Sequence, residues 1–286
     1  MSTQSIWLKG FKSLFIPSVP LCLTCGKHRQ PSSQLPGICV SCAAAIPWIM
    51  SPRCLKCGRH VGCPDCNRGG ETSPIICNRS AVAYNSVMRE MLGQYKYRGN
   101  ERYATVLGLM LDRAYLTLKE EREKERRVEL SSASSTISYF FQNKRAASGI
   151  HWEADLLVPV PVSDSRLEER GFNQAERLAD VVSRRRGIPQ HPLLIRTHHT
   201  GKQSFKGRAE RLTAMKHAFA ANPAMIELFP DWLGALKPLS RPPRIIIVDD
   251  IYTTGSTLRA CAGVIQQMTE ACGYDVEIYS LTWARS

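Results

Sequence analysis

Four Cys-x-x-Cys pairs crowd a short N-terminal segment and constrain how this part of the chain can fold. Each pair forms a tight turn that can aim both sulfurs at one ion. The pairs are Cys22 with Cys25, Cys39 with Cys42, Cys54 with Cys57, and Cys63 with Cys66. Eight thiols suffice for two tetrahedral four-thiolate sites, the usual form of structural zinc. We therefore predict a zinc-binding module over residues 1–80, with one or two zinc ions supplying much of its folding energy.

The spacing leaves open which pairs share an ion. Sequential pairing joins the first two pairs at one site and the last two at another, whereas a crossed arrangement fits the short connection between Cys57 and Cys63. His28 and His60 follow two of the turns and are alternative ligands. Cys77 is interpreted as a small buried hydrophobic residue. A closed four-thiolate shell has no position for a catalytic water, so we expect a structural role for the zinc.

The composition indicates a globular protein with an anionic partner. Hydrophobic residues make up 43% of the 286 residues and charged residues 22%, which is ordinary for a soluble domain. The sequence contains no apolar run of membrane-spanning length and no convincing secretory signal, so we expect a cytoplasmic location. The formal net charge of +13 favours nucleic acid or a phosphorylated ligand, because Lys and Arg displace counterions from phosphates.

Alternating strand and helix patterns in the second half of the chain predict a mostly parallel sheet. Strands are predicted at residues 156–160, 193–195, 245–248 and 276–282, with helices over about 174–186 and 257–271. A further strand at 81–84 and two amphipathic helices precede them. We predict an α/β domain over residues 81–286 with helices on both faces of the sheet, and a flexible insertion at 119–150.

The stretch RIIIVDDIYTTGSTL, residues 244–258, runs from an apolar strand into two acids and then into a hydroxyl-rich loop. Backbone N–H groups at the start of the following helix form a donor nest that suits a phosphate. The loop positions are Thr253, Thr254, Gly255, Ser256 and Thr257. Asp249 and Asp250 repel phosphate but can accept hydrogen bonds from vicinal sugar hydroxyls. A 5′-phosphorylated ribose satisfies both halves of this pattern.

A second candidate feature ends the first amphipathic helix of the middle segment. Lys96 and Arg98 alternate there with Tyr95 and Tyr97. Aromatic rings interleaved with positive charge can stack on a single nucleic-acid strand and neutralise it, which makes Lys96 and Arg98 candidate DNA contacts. The alternative interpretation is a helix whose aromatic face packs on the core.

Several stretches carry a resemblance to known families. IIIVDDIYTTGST resembles the phosphoribosyl pyrophosphate (PRPP) signature of the type I phosphoribosyltransferases. LVPVPVSDSRLEERGFNQAERLA (157–179), KQSFKGRAERL (202–212) and YNSVMREMLGQYKYRG (84–99) resemble the ComF family, as does the cysteine-rich N-terminus. That family is implicated in natural competence, the uptake of DNA for transformation. The resemblance covers most of the chain in the same order.

The resemblance implies roles for individual residues. Asp249 and Asp250 become the catalytic pair that holds the ribose hydroxyls, and residues 253–257 the site of the 5′-phosphate. The turn from Pro159 to Ser163 corresponds to the pyrophosphate loop, with Arg166 and Arg170 close to the diphosphate. A basic flap would cover the ligand, and its residues are Lys202, Lys206, Arg208 and Arg211. Mg²⁺ would accompany PRPP.

Two functions follow from the resemblance. In the first, a PRPP-binding protein handles internalised single-stranded DNA together with other competence and DNA-uptake proteins. In the second, an active phosphoribosyltransferase serves nucleotide or base metabolism and has no direct DNA role. The sequence shows no evident base-recognition hood or dedicated general base, so it does not identify an acceptor, and turnover is left open.

Overall fold

A computed structural model describes residues 19–63, 66, 73–97, 102–133, 150–197, 218–236 and 241–286. The chain divides into two compact units, Met1–Ile46 and Pro47–Ser286. Residue 80, the predicted end of the zinc-binding module, lies within the larger unit, and the module boundary stays a prediction. The turn carrying Cys54 and Cys57 is hydrogen-bonded to the sheet of the larger unit, since the backbone N–H of Asn78 donates to Lys56 O over 2.8 Å.

The smaller unit contains one described helix, α1 at Val40–Ala44. The elements of the larger unit, in chain order, are β1 Ile75–Ala83, α2 Ser86–Tyr97, α3 Arg102–Ala133, β2 Leu156–Pro159, α4 Asp164–Arg170, α5 Gln174–Arg186, β3 Leu194–Arg196, β4 Phe219–Ala221, α6 Pro223–Ile226, α7 Phe229–Ala235, β5 Arg244–Tyr252, α8 Ser256–Ala271 and β6 Glu277–Arg285.

The main sheet has four parallel strands in the order β1-β6-β5-β2. The predicted α/β class, a parallel sheet flanked by helices, is confirmed. Two details differ from the prediction. Strand β1 is longer than the predicted 81–84, because it pairs with β6 from Ile75 onward. Strand β3 lies outside the main sheet and pairs antiparallel with β4, a segment that the sequence patterns did not reveal.

The core of the larger unit lies between the sheet and its helices. Ile245 to Val248 in β5 are fully buried. Helices α3 and α5 approach closely at Gly108, where an added Cβ would lie 2.5 Å from Val181 Cβ. Asp112 of α3 ties the same pair of helices together by accepting 2.8 Å and 2.6 Å hydrogen bonds from the Nε atoms of Arg185 and Arg186.

Helix α3 continues well into the segment predicted to be a flexible insertion. It ends at Ala133, and residues 134–149 lie outside the described part of the chain. One cause of this order is the buried Arg79 of β1, whose Nε donates to Glu121 Oε2 over 2.6 Å. Among the described helices, none is both long enough and apolar enough to cross a membrane.

Candidate functional site

The loop between β5 and α8 presents the start of a long helix to solvent. Gly255 is the N-cap of the 16-residue helix α8 and has the left-handed φ of 75°. Thr253 and Thr254 are exposed, whereas Ser256 is half-buried. The hydroxyls of Thr254 and Ser256 lie 3.0 Å apart. The backbone N–H of Ser256 donates to Thr254 Oγ1 over 3.4 Å. The loop therefore places several hydroxyls at the start of a long helix, which is a suitable position for an anion.

Glycine at position 255 allows a close approach within this loop. A Cβ there would overlap the hydroxyl oxygen and ring of Tyr252. The positive φ adds a second reason, because L side chains rarely adopt it. Thr257, the other predicted loop residue, is half-buried in the first turn of α8.

The acidic pair lies near the carboxyl end of β5, and both residues are half-buried. Asp249 Oδ1 accepts a 2.8 Å hydrogen bond from the backbone N–H of Asp250. Asp250 forms an ion pair with Lys96 at the end of α2. Burial, together with the negative charge of Asp250, raises the pKa of Asp249 to about 7. Asp249 therefore changes between the protonated and ionised forms near neutral pH.

Two cations that no sequence motif connects with the acids lie close to them. The positive charges of Lys96 and Arg196 oppose the upward shift in the pKa of Asp249. Arg196 ends β3, and burial together with the charge of Arg166 lowers the pKa of the Arg196 guanidinium. The sequence signal that could have indicated Arg196 is its position as a basic residue directly after the apolar strand LLI. The structure thus places Lys96 and Arg196 close to the acidic pair, and Arg166 close to Arg196.

The turn predicted to hold pyrophosphate lies beside the acids. Strand β2 pairs with β5 in parallel, with Pro159 opposite Val248. The backbone N–H of Val160 donates to Val248 O over 2.9 Å, and Asn173 Nδ2 donates to Val160 O over 3.1 Å. The carboxyl ends of the two strands therefore share one edge of the sheet, which is where parallel α/β sheets bind their ligands.

Arg170 has partners of its own close to this edge. Its guanidinium lies 5.2 Å from the centroid of the Tyr97 ring and donates to Gln174 Oε1 over 2.7 Å. Lys96, a predicted DNA contact, faces Asp250 in the structure. Arg98 and the predicted flap residues Lys202, Lys206, Arg208 and Arg211 lie outside the described residues.

The eight paired cysteines form two groups by sequential pairing. Within each group the sulfurs lie within 4.8 Å of one another, and the groups are Cys22, Cys25, Cys39 and Cys42, and Cys54, Cys57, Cys63 and Cys66. Tetrahedral zinc with Zn–S bonds of about 2.3 Å needs sulfurs roughly 3.8 Å apart. The Cys25 to Cys39 and Cys57 to Cys63 sulfur distances of 4.0 Å and 3.4 Å match this requirement. Each group can hold one structural zinc ion.

The alternative ligands lie apart from these groups. Neither His28 nor His60 belongs to a described cluster of metal-binding side chains, and His28 Nδ1 lies 2.6 Å from Val19 O. Cys77 is buried within β1, as predicted. The positive φ values of Gly26 and Gly58, 65° and 72°, show that the turns after Cys25 and Cys57 need glycine.

Several curated proteins resemble this chain over most of its length. It is 30% identical over 257 residues to competence protein ComFC of Bacillus subtilis, covering 87% of this chain and 84% of that protein. The chain belongs to the ComF family. It is also 24% identical over 273 residues to competence protein ComFC of Streptococcus pneumoniae, covering 91% of this chain and 98% of that protein.

A further relative of this ComF protein is the DNA utilization protein YhgH of Escherichia coli O157:H7. The identity is 25% over 238 residues, covering 81% of this chain and 91% of that protein. No protein-family model matches the chain, and no solved structure matches it.

Proposed function

We propose that this ComF protein binds PRPP with Mg²⁺ at the carboxyl edge of β2 and β5. The observation that carries the proposal is the direct succession of a half-buried acidic pair and an open helix start in one strand–loop–helix unit. Asp249 and Asp250 accept hydrogen bonds from the ribose hydroxyls, and the N–H groups of residues 253–257 donate hydrogen bonds to the 5′-phosphate. The diphosphate extends towards Pro159–Ser163 and the nearby cation Arg166.

Mg²⁺ enters this proposal with the ligand. A diphosphate carries several oxygens of high charge density, and Mg²⁺ is commonly bound through substrate phosphates plus one or two carboxylates. The half-buried carboxylates of the acidic pair suit such a role. Lys96 balances the charge of Asp250, and we propose that it holds this carboxylate in place before the ligand binds.

We further propose that each cysteine cluster holds a zinc ion. We also propose that the protein acts in DNA uptake, where it handles internalised single-stranded DNA with competence proteins as partners. The cluster geometry supports the zinc sites. The names of the relatives support the DNA role, because two are competence proteins and one is a DNA utilization protein. The excess of Lys and Arg, which gives a net charge of +13, is consistent with a polyanionic partner.

DNA binding is expected to weaken with salt. A fluorescent single-stranded oligonucleotide is titrated at salt concentrations from 50 to 300 mM. The logarithm of the affinity should fall linearly with the logarithm of the salt concentration, with a slope of about −0.7 for each phosphate that the protein neutralises. The measurement is fluorescence anisotropy, and an unlabelled oligonucleotide serves as the competitor control. Affinity that does not change across the salt range would rule out the electrostatic DNA-binding part of the proposal.

An active phosphoribosyltransferase is the second candidate, and one observation favours it. A carboxyl group with a pKa near 7, as at Asp249, is matched to general-base work at neutral pH. The test is pyrophosphate release from PRPP with a panel of bases, amines and oligonucleotides. Release that depends on one acceptor and is lost in Asp249→Asn supports turnover. Ligand binding without release in the presence of any of these acceptors supports a binding protein.

The raised pKa of Asp249 predicts that ligand binding depends on pH. The carboxylate accepts hydrogen bonds from the ribose only when ionised, so affinity should rise between pH 6 and pH 8. At pH 6, one unit below a pKa of about 7, about a tenth of Asp249 is ionised and affinity should fall roughly tenfold. Calorimetry of wild type and Asp249→Asn in parallel separates this effect from titration of the ligand phosphate. Equal pH profiles in the two proteins would contradict the assignment.

A further inference from the structure

Arg285, in β6, joins the second cysteine cluster to the candidate phosphate loop. The side chain is buried, and its Nε and Nη2 atoms donate to Cys57 O and Cys57 Sγ over 3.2 Å and 3.4 Å. On the other side, Nη1 donates to Tyr252 O over 3.1 Å and to Thr253 O over 3.0 Å. One guanidinium therefore contacts a zinc-ligand candidate and the first residues of the loop.

The contact continues from Arg285 to the glycine of the loop. The guanidinium carbon lies 4.5 Å from the centroid of the Tyr252 ring, and the hydroxyl end of that ring fills the space beside Gly255 where a Cβ would lie. A planar guanidinium can hydrogen-bond in two directions and stack on an aromatic ring at the same time. Movement of Arg285 would therefore be transmitted to the backbone at both ends of the loop turn.

The cluster itself is fixed to the sheet at the same point. Cys57 O also accepts a 3.2 Å hydrogen bond from Asn78 Nδ2 in β1. A Cβ added to the neighbouring Gly58 would lie 2.6 Å from Asn78 O, so this turn packs tightly against β1. A displacement of Cys57 therefore has little room to be absorbed locally before it reaches Arg285.

Electrostatics make the contact sensitive to the state of the cluster. Four thiolates with one Zn²⁺ carry a formal charge of about −2, and metal-bound thiolates accept hydrogen bonds that tune the site. A buried arginine gains from such a neighbour, because an uncompensated buried charge is costly. Without the metal, the four sulfurs lose the ion that holds them together, so the position of Cys57 beside Arg285 is less fixed.

We propose that Arg285 is a positioning residue that couples metal occupancy of the cluster Cys54, Cys57, Cys63 and Cys66 to the geometry of the phosphate loop. The proposal rests on the proposed function, in which this loop binds a 5′-phosphate. Because coupling between two sites is reciprocal, zinc at the cluster strengthens phosphate binding, and bound phosphate raises the zinc affinity of the cluster by the same factor.

The first test follows the full-length protein without any ligand. Hydrogen exchange is measured on a peptide covering residues 252–257, with zinc bound and after chelation, and zinc release is followed with a chromogenic chelator. In wild type, zinc removal should speed exchange of this peptide and leave a peptide from α5 unchanged. Arg285→Gln should release zinc roughly tenfold faster, as loss of a contact to a metal ligand does, and should exchange rapidly at the loop even with zinc bound.

Two variants separate positioning from a general loss of structure. Arg285→Lys keeps the charge near the thiolates but cannot span both sides, so zinc release should stay within about twofold of wild type while loop exchange is fast. Arg259→Gln is the control, because Arg259 Nη1 also donates to the loop, at Thr254 O over 3.0 Å, and Arg259 lies on α8. We expect zinc release in this control to match wild type. If Arg285→Gln fails to fold, Arg285→Lys decides the question.

The coupling would be overturned if zinc removal left the exchange rate of the loop peptide in wild type unchanged. It would also be overturned if the loop peptide of zinc-bound Arg285→Lys exchanged at the wild-type rate. The ligand arm uses ribose 5-phosphate as the calorimetric probe, with and without zinc, and weaker binding after chelation is expected. Equal binding in the two states would also overturn the coupling. Failure of the zinc-loaded wild type to bind this probe would contradict the proposed function instead, and the exchange data would still decide the role of Arg285.

Discussion

Replacing Gly255 with alanine should lower the affinity for ribose 5-phosphate by about 100-fold, equivalent to roughly 2.7 kcal/mol. The new methyl group would occupy a position with φ of 75° and would overlap the Tyr252 hydroxyl and ring. Relief of that overlap requires either the ring or the loop backbone to move. Movement of the ring would disturb its contact with Arg285, and movement of the strained backbone would change the direction of the N–H groups at the start of α8. Isothermal calorimetry measures the change directly.

Gly273→Ala is the matched control for this substitution. Gly273 follows the opposite end of α8 and has nearly the same φ, 74°, but an added Cβ there meets nothing within 4 Å. It should cost about 1 kcal/mol of stability from the left-handed backbone and leave ligand affinity within about twofold. Wild-type affinity in Gly255→Ala would show that the loop does not bind the phosphate.

The second large effect is expected on stability, from Gly108→Ala. The added Cβ would lie 2.5 Å to 2.9 Å from three side-chain atoms of Val181, so α3 and α5 must separate or Val181 must leave its rotamer. Overpacking of this kind costs about 1–3 kcal/mol. For a unit of this size, that lowers the melting temperature by roughly 2–4 °C per kcal/mol. Thermal unfolding followed by circular dichroism is the measurement.

Gly93→Ala provides the comparison within a neighbouring helix. Gly93 lies in α2, and an added Cβ meets nothing within 4 Å. The helix propensity of alanine should therefore raise stability by up to about 1 kcal/mol. Both substitutions add one methyl group, but Gly108→Ala should lower the melting temperature and Gly93→Ala should raise it. A melting temperature for Gly108→Ala at or above that of wild type would contradict the packing at Val181.

The sequence was most informative where structure depends on neighbouring residues. The step from a buried strand to Asp249, and from the loop to the start of α8, can be recognised from fifteen adjacent residues. Each Cys-x-x-Cys pair can likewise be recognised from four adjacent residues. Spacing alone, however, did not decide between sequential and crossed pairing of these turns. The parallel sheet followed from alternating strand and helix patterns, which record local burial.

Contacts between distant residues were not accessible in this way. Lys96 and Arg196 approach the acidic pair from two separate elements, and no spacing rule connects them with Asp249. The pairing of β3 with β4 depends on a strand of three residues that has little periodicity of its own. The contact between Arg285 and Cys57 joins residues 228 positions apart, and no sequence pattern indicates it.

Calorimetric titration of Mg²⁺-PRPP into wild type and into Asp249→Asn/Asp250→Asn tests the central claim most directly. Asp231→Asn/Asp275→Asn, which changes the same charge at two exposed acids, is the control. We predict saturable binding to wild type and to the control, and at least about 100-fold weaker binding to the double variant, since each charge-assisted hydrogen bond contributes about 1.5–3 kcal/mol. Absence of binding to wild type, or full-strength binding to Asp249→Asn/Asp250→Asn, would contradict the assignment of this site.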